Sequence, residues 1–342
     1  MYAELVGKPY IQNVFVPMPV SRMPAEKCRE YLLGNDPVSG RPVIDELVEG
    51  LTGPLTAEQK SSGLRERPVP GMLGPDTEEN LQRYLLENGY TDYLPVVLPT
   101  EERVAAILQG TSHKADEVAG EMRSAYESVS FKVEQVAANA VMAGAKPEYL
   151  PLILAMAASG VSCIASSTNN FARMIVVNGP IRKEIGMNSG IGALSPMNRA
   201  NAVIGRVGTL LSLSQGGGQP GKTFWANQGN NLNYNHVTFA ENEEYLPSGW
   251  KPYHVQKGFK PGESAVSFFH GWGMWSWKNT FGNQKHKTIL QMANWVGPFG
   301  AGTGFGMLLD PIVADGLVEE GFPTKEALSE YIRKNSQYTL AE

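Results

Sequence analysis

Between positions 178 and 206 the chain gathers residues suited to holding a small polar molecule. Asn178, Arg182, Lys183, Asn188, Ser189, Asn198, Arg199, Asn201 and Arg206 alternate there with Gly179, Gly186, Gly190, Gly192 and Gly205. Arginine forks match a carboxylate or phosphate in two parallel hydrogen bonds, and asparagine orients a ligand by donating and accepting. Glycine lets backbone come close to whatever is bound. Two readings follow: a small-anion site, or a polar network satisfying the backbone of a buried loop. A second group, Glu241-Asn242-Glu243-Glu244, packs three carboxylates into four positions. It is either a solvated turn or a general acid–base aimed at substrate, with mutual repulsion raising one pKa. His270 precedes a Gly- and Trp-rich run containing Trp272, Trp275 and Trp277. That run could cover an apolar part of a substrate or anchor a partner.

Other signals are weaker. Residues Gly216–Thr223, GGGQPGKT, satisfy the pattern of a phosphate-binding loop. A helix-like segment precedes them where a strand is required, and Pro220 removes a backbone donor, so a surface turn is expected. The five histidines never fall at i, i+2 or i+4, so no local metal cluster, and no metal at the site, is expected. Cys163, in Val-Ser-Cys-Ile-Ala, reads as an inert core thiol, and Cys28 as a surface bystander.

The elements that must position these groups can be read from periodicity and punctuation. Ile11–Pro17 reads as a short strand. Helices are expected from Pro24 to Leu33, Val43 to Leu51, Asp76 to Asn88, from Thr100, over Ser130–Met142 and Pro147–Ala158, over Ala200–Ser214, and from Pro323 to Asn335. The first turn of the 200–214 helix would offer backbone N–H groups beside Asn198 and Arg199, an anion-binding arrangement. Met174–Val177 and Ala265–Phe269 read as buried strands, and residues 52–77 as a linker or wrapping arm. Segment 297–306 reads as a mobile Gly-rich loop. The expected fold is α/β, with a loop-rich, Gly-rich main domain over 91–342 and an N-terminal α/β arm or small domain over 1–90.

Composition narrows the class. The chain has 342 residues, 37 glycines, 23 prolines and two cysteines, and a formal charge of −5. Two cysteines cannot form a disulfide framework or a four-thiolate zinc site. The mild acidity argues against nucleic acid or an anionic membrane as partner. The N-terminus lacks a signal-peptide pattern and no apolar run reaches the roughly 20 residues of a membrane span, so a cytoplasmic protein is expected. Dense glycine and apolar helices point to an oligomer. No cofactor can be named.

Several stretches carry a resemblance: FVPMPVSRMPAEK, DPVSGRPVIDELV, LPVVLPTEERVAAILQGTS, VEQVAANAVMAGAKPEYLPLILA, VVNGPIRKEIGMNSGIGALSPMNRANAVIGR, FAENEE and LLDPIVADGLVEEGF. The chain resembles the (seleno)protein family named for its UGSC motif, over most of its length. The resemblance implies an α/β core whose polar block is the site. It carries over Asn178, Arg182, Asn188, Asn198, Asn201, Glu241 and Asn242 as candidates, with no settled reaction. The family's motif, selenocysteine or Cys followed by Gly-Ser-Cys, is missing; the one Ser-Cys pair is Ser162-Cys163. A separate small subunit carrying the thiol or selenol, docked on residues 1–50, is therefore expected. Two function classes follow. One is an enzyme or large subunit acting on a small polar or anionic organic molecule, lyase- or hydratase-like or cleaving a C–heteroatom bond with thiol assistance, with Glu241, His270 and Asn188 catalytic. The other is a non-catalytic ligand-binding or scaffold subunit.

Overall fold

The computed structural model describes residues 12–18, 20, 23–61, 71–123, 128–164, 172–216, 218, 224, 229–271, 285–296 and 306–336. The chain divides into two compact units, Met1–Gly74 and Pro75–Glu342. The break falls earlier than position 90 because the 78–87 helix inserts Leu85 into the core of the larger unit.

In the smaller unit, α1 (Ala25–Leu33) starts after Pro24, and α2 (Val43–Thr52) after Pro42. A proline suits such a start because its missing N–H would be unpaired there anyway. Between them Asp36 accepts backbone N–H bonds from Phe15, Val38 and Ser39, which closes a turn. The strand expected over Ile11–Pro17 is not formed over the described residues 12–17. The Phe15 N–H that a neighbouring strand would need is taken by the Asp36 carboxylate at 2.6 Å. The arm expected over 52–77 includes a short helix, α3 (Ala57–Ser61).

The larger unit is α/β. Helix α4 (Glu78–Glu87) is capped by Thr77, and α5 (Glu101–Leu108) by Thr100. Both hydroxyls accept from an N–H three residues on, the usual N-cap device. A hairpin of β1 (Val118–Arg123) and β2 (Ser128–Lys132) follows. The helix expected from Ser130 therefore begins later, as α6 (Val133–Ala143), since Phe131 is buried from the strand. Gly144, at φ +82, ends α6, and a 3₁₀ turn leads into α7 (Leu150–Ala158). Both helices are buried on nearly every face.

The central sheet has three strands in the order β4-β3-β5. Strand β3 (Ala172–Asn178) runs parallel to β4 (Val237–Ala240) and antiparallel to β5 (Ala265–Gly271). Residues 265–269 of β5 are half-buried rather than buried, whereas β4 at the other edge is mostly buried. Short α8 (Ile181–Glu184) and long α9 (Arg199–Ser214) connect β3 to β4. Helix α9 packs with α6, α7 and β3 in one apolar core. A second core collects Trp250 with residues of α11 (Lys285–Val296), α12 (Pro311–Glu319) and α13 (Lys325–Asn335). The element preceding these, α10 (Tyr253–Gln256), is a single turn. Among the described residues no helix is long and apolar enough to cross a membrane.

Gly205 marks where α9 meets the approach to β4. A Cβ there would sit 1.8 Å from the Asn235 carbonyl oxygen and 2.5 Å from the Thr238 hydroxyl. Helix propensity alone favours Gly205→Ala by about 1 kcal/mol. The clash is with backbone, so packing wins: the variant is expected to be destabilised by about 1–3 kcal/mol. A urea unfolding curve with an unchanged or higher midpoint would contradict this.

Candidate functional site

The C-terminal ends of parallel strands β3 and β4 lie side by side, with Val177 opposite Ala240. Asn178 and Gly179 leave one strand and Glu241 leaves the other. This is where open α/β sheets place ligands, and here it collects the three carboxylates. The Asn178 amide, fully buried, donates to Glu241 Oε2 at 2.6 Å and to Glu243 Oε1 at 2.9 Å. The Gly179 N–H adds a bond to Glu243 Oε1 at 2.8 Å. Gly179 is needed twice over: its φ is +83, and a Cβ would lie 2.1 Å from the Glu263 carbonyl oxygen.

Arg182, on α8 and 5% exposed, underlies the cluster. Its Nε donates to the Gly179 carbonyl. Nη1 donates to the Glu241 carbonyl and to Glu244 Oε2, and Nη2 reaches Glu244 Oε1 and Glu243 Oε2, each at 3.0 Å. Every guanidinium donor thus has an acceptor within the chain. Lys183, largely exposed, reaches Glu244 at 2.8 Å, and Lys325, at the start of α13, reaches Glu241 Oε1 at 2.6 Å. Three cations face three carboxylates. Hydrogen bonds from Arg182 and then Lys183 hold the Glu244 carboxyl down to about 2. The expected upward shift is not what happens at Glu244, because the repelling carboxylates have cations between them.

The rest of the polar block does different work. Asn188 accepts from the Gly190 N–H and donates to the Ile191 carbonyl, closing its own turn. Buried Asn201 donates to the carbonyls of Asn188 and Ala193 and accepts from the Asn188 N–H. Asn198 caps α9, accepting from the Asn201 N–H at 3.0 Å, and donates to the Gly186 carbonyl. Arg199 donates to the Gly144 carbonyl at the end of α6. At the start of α9, where an anion site is expected, the Asn201 N–H is taken by the chain's own Asn198. Arg206 forks onto Asp92 at 2.8 and 2.9 Å. Of the two readings open for this block, the loop-satisfying network describes Asn188, Asn198, Arg199 and Asn201. Ser189 lies in the same loop, half-buried. Asn242 sits beside the cluster, and its carbonyl accepts from the Tyr245 N–H.

His270 belongs to β5 and pairs in register with Arg173, at the opposite end of β3 from Asn178. It is therefore not brought to Glu241. Trp272 and the segment 297–305 lie outside the described residues, as does most of GGGQPGKT. Gly216 and Gly218 of that motif are buried rather than on a surface turn.

Two members of the cluster had no sequence signal. Lys325 is 84 positions from Glu241. His254, on α10, has a fully buried side chain with Nδ1 3.7 Å from Glu243 Oε1. Neither of its ring nitrogens has a hydrogen-bond partner, and the same holds for Asn178 Oδ1. The adjoining Tyr253 N–H donates to Glu241 Oε2 at 2.6 Å. Among the described residues no three His, Cys, Asp or Glu side chains gather as metal ligands. Burial pushes the Cys163 thiol up to about 12, and Cys28 belongs to the smaller unit.

No family model, curated protein or solved structure matches this chain.

Proposed function

We propose that the chain is the large component of an enzyme that moves protons on a small polar organic substrate, with Glu241 as the transferring carboxylate. The observation carrying this reading is the gathering of Glu241 and Glu243 on buried Asn178, with Glu244 joined through Arg182, at the ends of β3 and β4. Glu241 keeps partial exposure while its partners fix it, the balance a general acid–base requires. Arg182, with all its donors engaged, holds the carboxylates in place rather than gripping a substrate anion; Asn178 and Lys325 orient Glu241. A lyase- or hydratase-like step suits such a site. Thiol-assisted cleavage would need a thiol from elsewhere, because Cys163 is buried and protonated. That requirement agrees with the resemblance to the UGSC-motif family and with a separate small Cys- or selenocysteine-bearing subunit. Two free cysteines suit a reducing, cytoplasmic setting.

A non-catalytic subunit is favoured by a different observation, the mutual neutralisation of the cluster. One experiment separates the readings. Protein purified from its native source is analysed for a co-purifying small subunit and screened by NMR for turnover of hydroxy- and amino-carboxylates. Glu241→Gln is expected to lower kcat by about 10²–10⁴-fold, the usual worth of a general acid–base. Unchanged turnover in that variant would overturn the role of Glu241; no turnover in the wild-type assembly, with loss of assembly as the variant's one effect, would support the scaffold reading.

A further inference from the structure

A buried imidazole with neither nitrogen paired calls for an explanation, since native proteins satisfy nearly all buried polar groups. Among the described residues, the carboxylate that His254 meets within ion-pair distance is that of Glu243. Its Nδ1 faces Glu243 Oε1 at 3.7 Å, and the side chain has no exposed surface. That oxygen already accepts from Asn178 Nδ2 and the Gly179 N–H, while Arg182 binds the other carboxylate oxygen at 3.0 Å. Glu243 Oε1 thus already serves as an acceptor, with a guanidinium set against the other oxygen. A lone pair on Nδ1 would point at that negative oxygen and be repelled, whereas an N–H there is attracted.

We infer that Glu243 and His254 form a carboxylate–imidazole dyad, in which Glu243 holds the hydrogen on Nδ1 and leaves the basic lone pair on Nε2. His254 is then a positioning residue behind the carboxylates. At 3.7 Å the pair stands within ion-pair reach and just beyond hydrogen-bond distance. Other charges nearby are committed elsewhere: Lys325 to Glu241, Glu244 to Arg182 and Lys183, and Lys257 over the Tyr253 ring at 5.2 Å.

The inference extends the acid–base reading of the cluster, but its test uses no substrate, so the two can fail separately. The full chain is labelled with ¹⁵N-histidine, and long-range ¹H–¹⁵N spectra at neutral pH show which nitrogen carries hydrogen. His254→Gln assigns the signals. His236 serves as an internal reference of the opposite tautomer: its Nδ1 accepts from the Arg173 N–H, so its hydrogen lies on Nε2 toward Thr209. The expected result is a protonated Nδ1 on His254, lost in Glu243→Gln in favour of the Nε2–H form that free imidazole prefers. A bare Nδ1 in the wild-type protein, or a tautomer unmoved by Glu243→Gln, overturns the dyad. If Glu243→Gln does not fold, the wild-type tautomer decides alone.

Discussion

Arg182→Met is expected to cost about 3–5 kcal/mol of stability, the range for removing one partner of a buried ion pair. Methionine nearly fills the space but supplies no donor. Two carbonyls lose a donor and the carboxylates of Glu243 and Glu244 lose their buried cation at once. Only Lys183 remains on Glu244, from an exposed position. Lys183→Met gives the contrast: an exposed pair is worth about 0–1 kcal/mol, so the two neighbouring cations should differ several-fold in urea unfolding at pH 7. The Arg182→Met deficit should also shrink as pH falls. Glu244 is held near 2 against an ordinary 4.5, so the stability it gains from Arg182 is present above 4.5 and lost on acidification toward 2. Equal costs for the two variants would show that Arg182 does not organise the cluster.

Acid sensitivity should have a second, larger source at His236. This residue is 4% exposed, and burial, aided by the nearby Arg173 charge, pushes its imidazole from 6.5 down to about 3. Its ring has no room for a second proton: Nδ1 accepts from the Arg173 N–H and Nε2 meets Thr209 Oγ1 at 3.1 Å. Above pH 6.5 both folded and unfolded forms are neutral and the group contributes nothing. Below 6.5 the unfolded chain binds a proton that the folded one refuses, so stability falls by about 1.4 kcal/mol per pH unit until the folded value is reached. About 3 kcal/mol should be gone by pH 4.5. His236→Asn removes the titration while keeping a residue that tolerates the left-handed backbone found here, φ +55. Its stability should be flatter between pH 6.5 and 4.5 by that slope. Parallel curves for variant and wild type would contradict the prediction.

Much of the architecture was legible in the chain. Thr77, Thr100 and Asn198 announce helices through hydroxyl or amide groups that cap the first turn, and Gly144 ends one by adopting φ +82. These are local events, decided within four residues. The hairpin of β1 and β2 was missed because Val118–Lys132 has no continuous alternation, and Ser130-Phe131-Lys132 reads as well in a helix as in a strand. The strand expected at 11–17 fails for the opposite reason: its pattern is favourable, but Asp36, 21 positions from Phe15, takes the N–H it would have used.

The sequence by itself determined the candidate chemistry: an Asn-Arg-Gly block after a strand, and three carboxylates in four positions. It also determined that neither cysteine lies in a Cys-Gly-Ser-Cys motif. Tertiary structure decided which of these residues work together. Parallel pairing of β3 with β4 sets Asn178 beside Glu241, 63 positions away, and brings Lys325 and His254 to the same carboxylates. It sends Asn188 and Asn198 to the backbone of their own neighbourhood, Arg199 to the Gly144 carbonyl 55 positions away, and His270 to the far end of the strand. The physical reason is that a side chain's hydrogen-bond partners are chosen by distance in space, not in sequence. Arg182 could serve a ligand or the fold, and five acceptors within reach commit it to the fold.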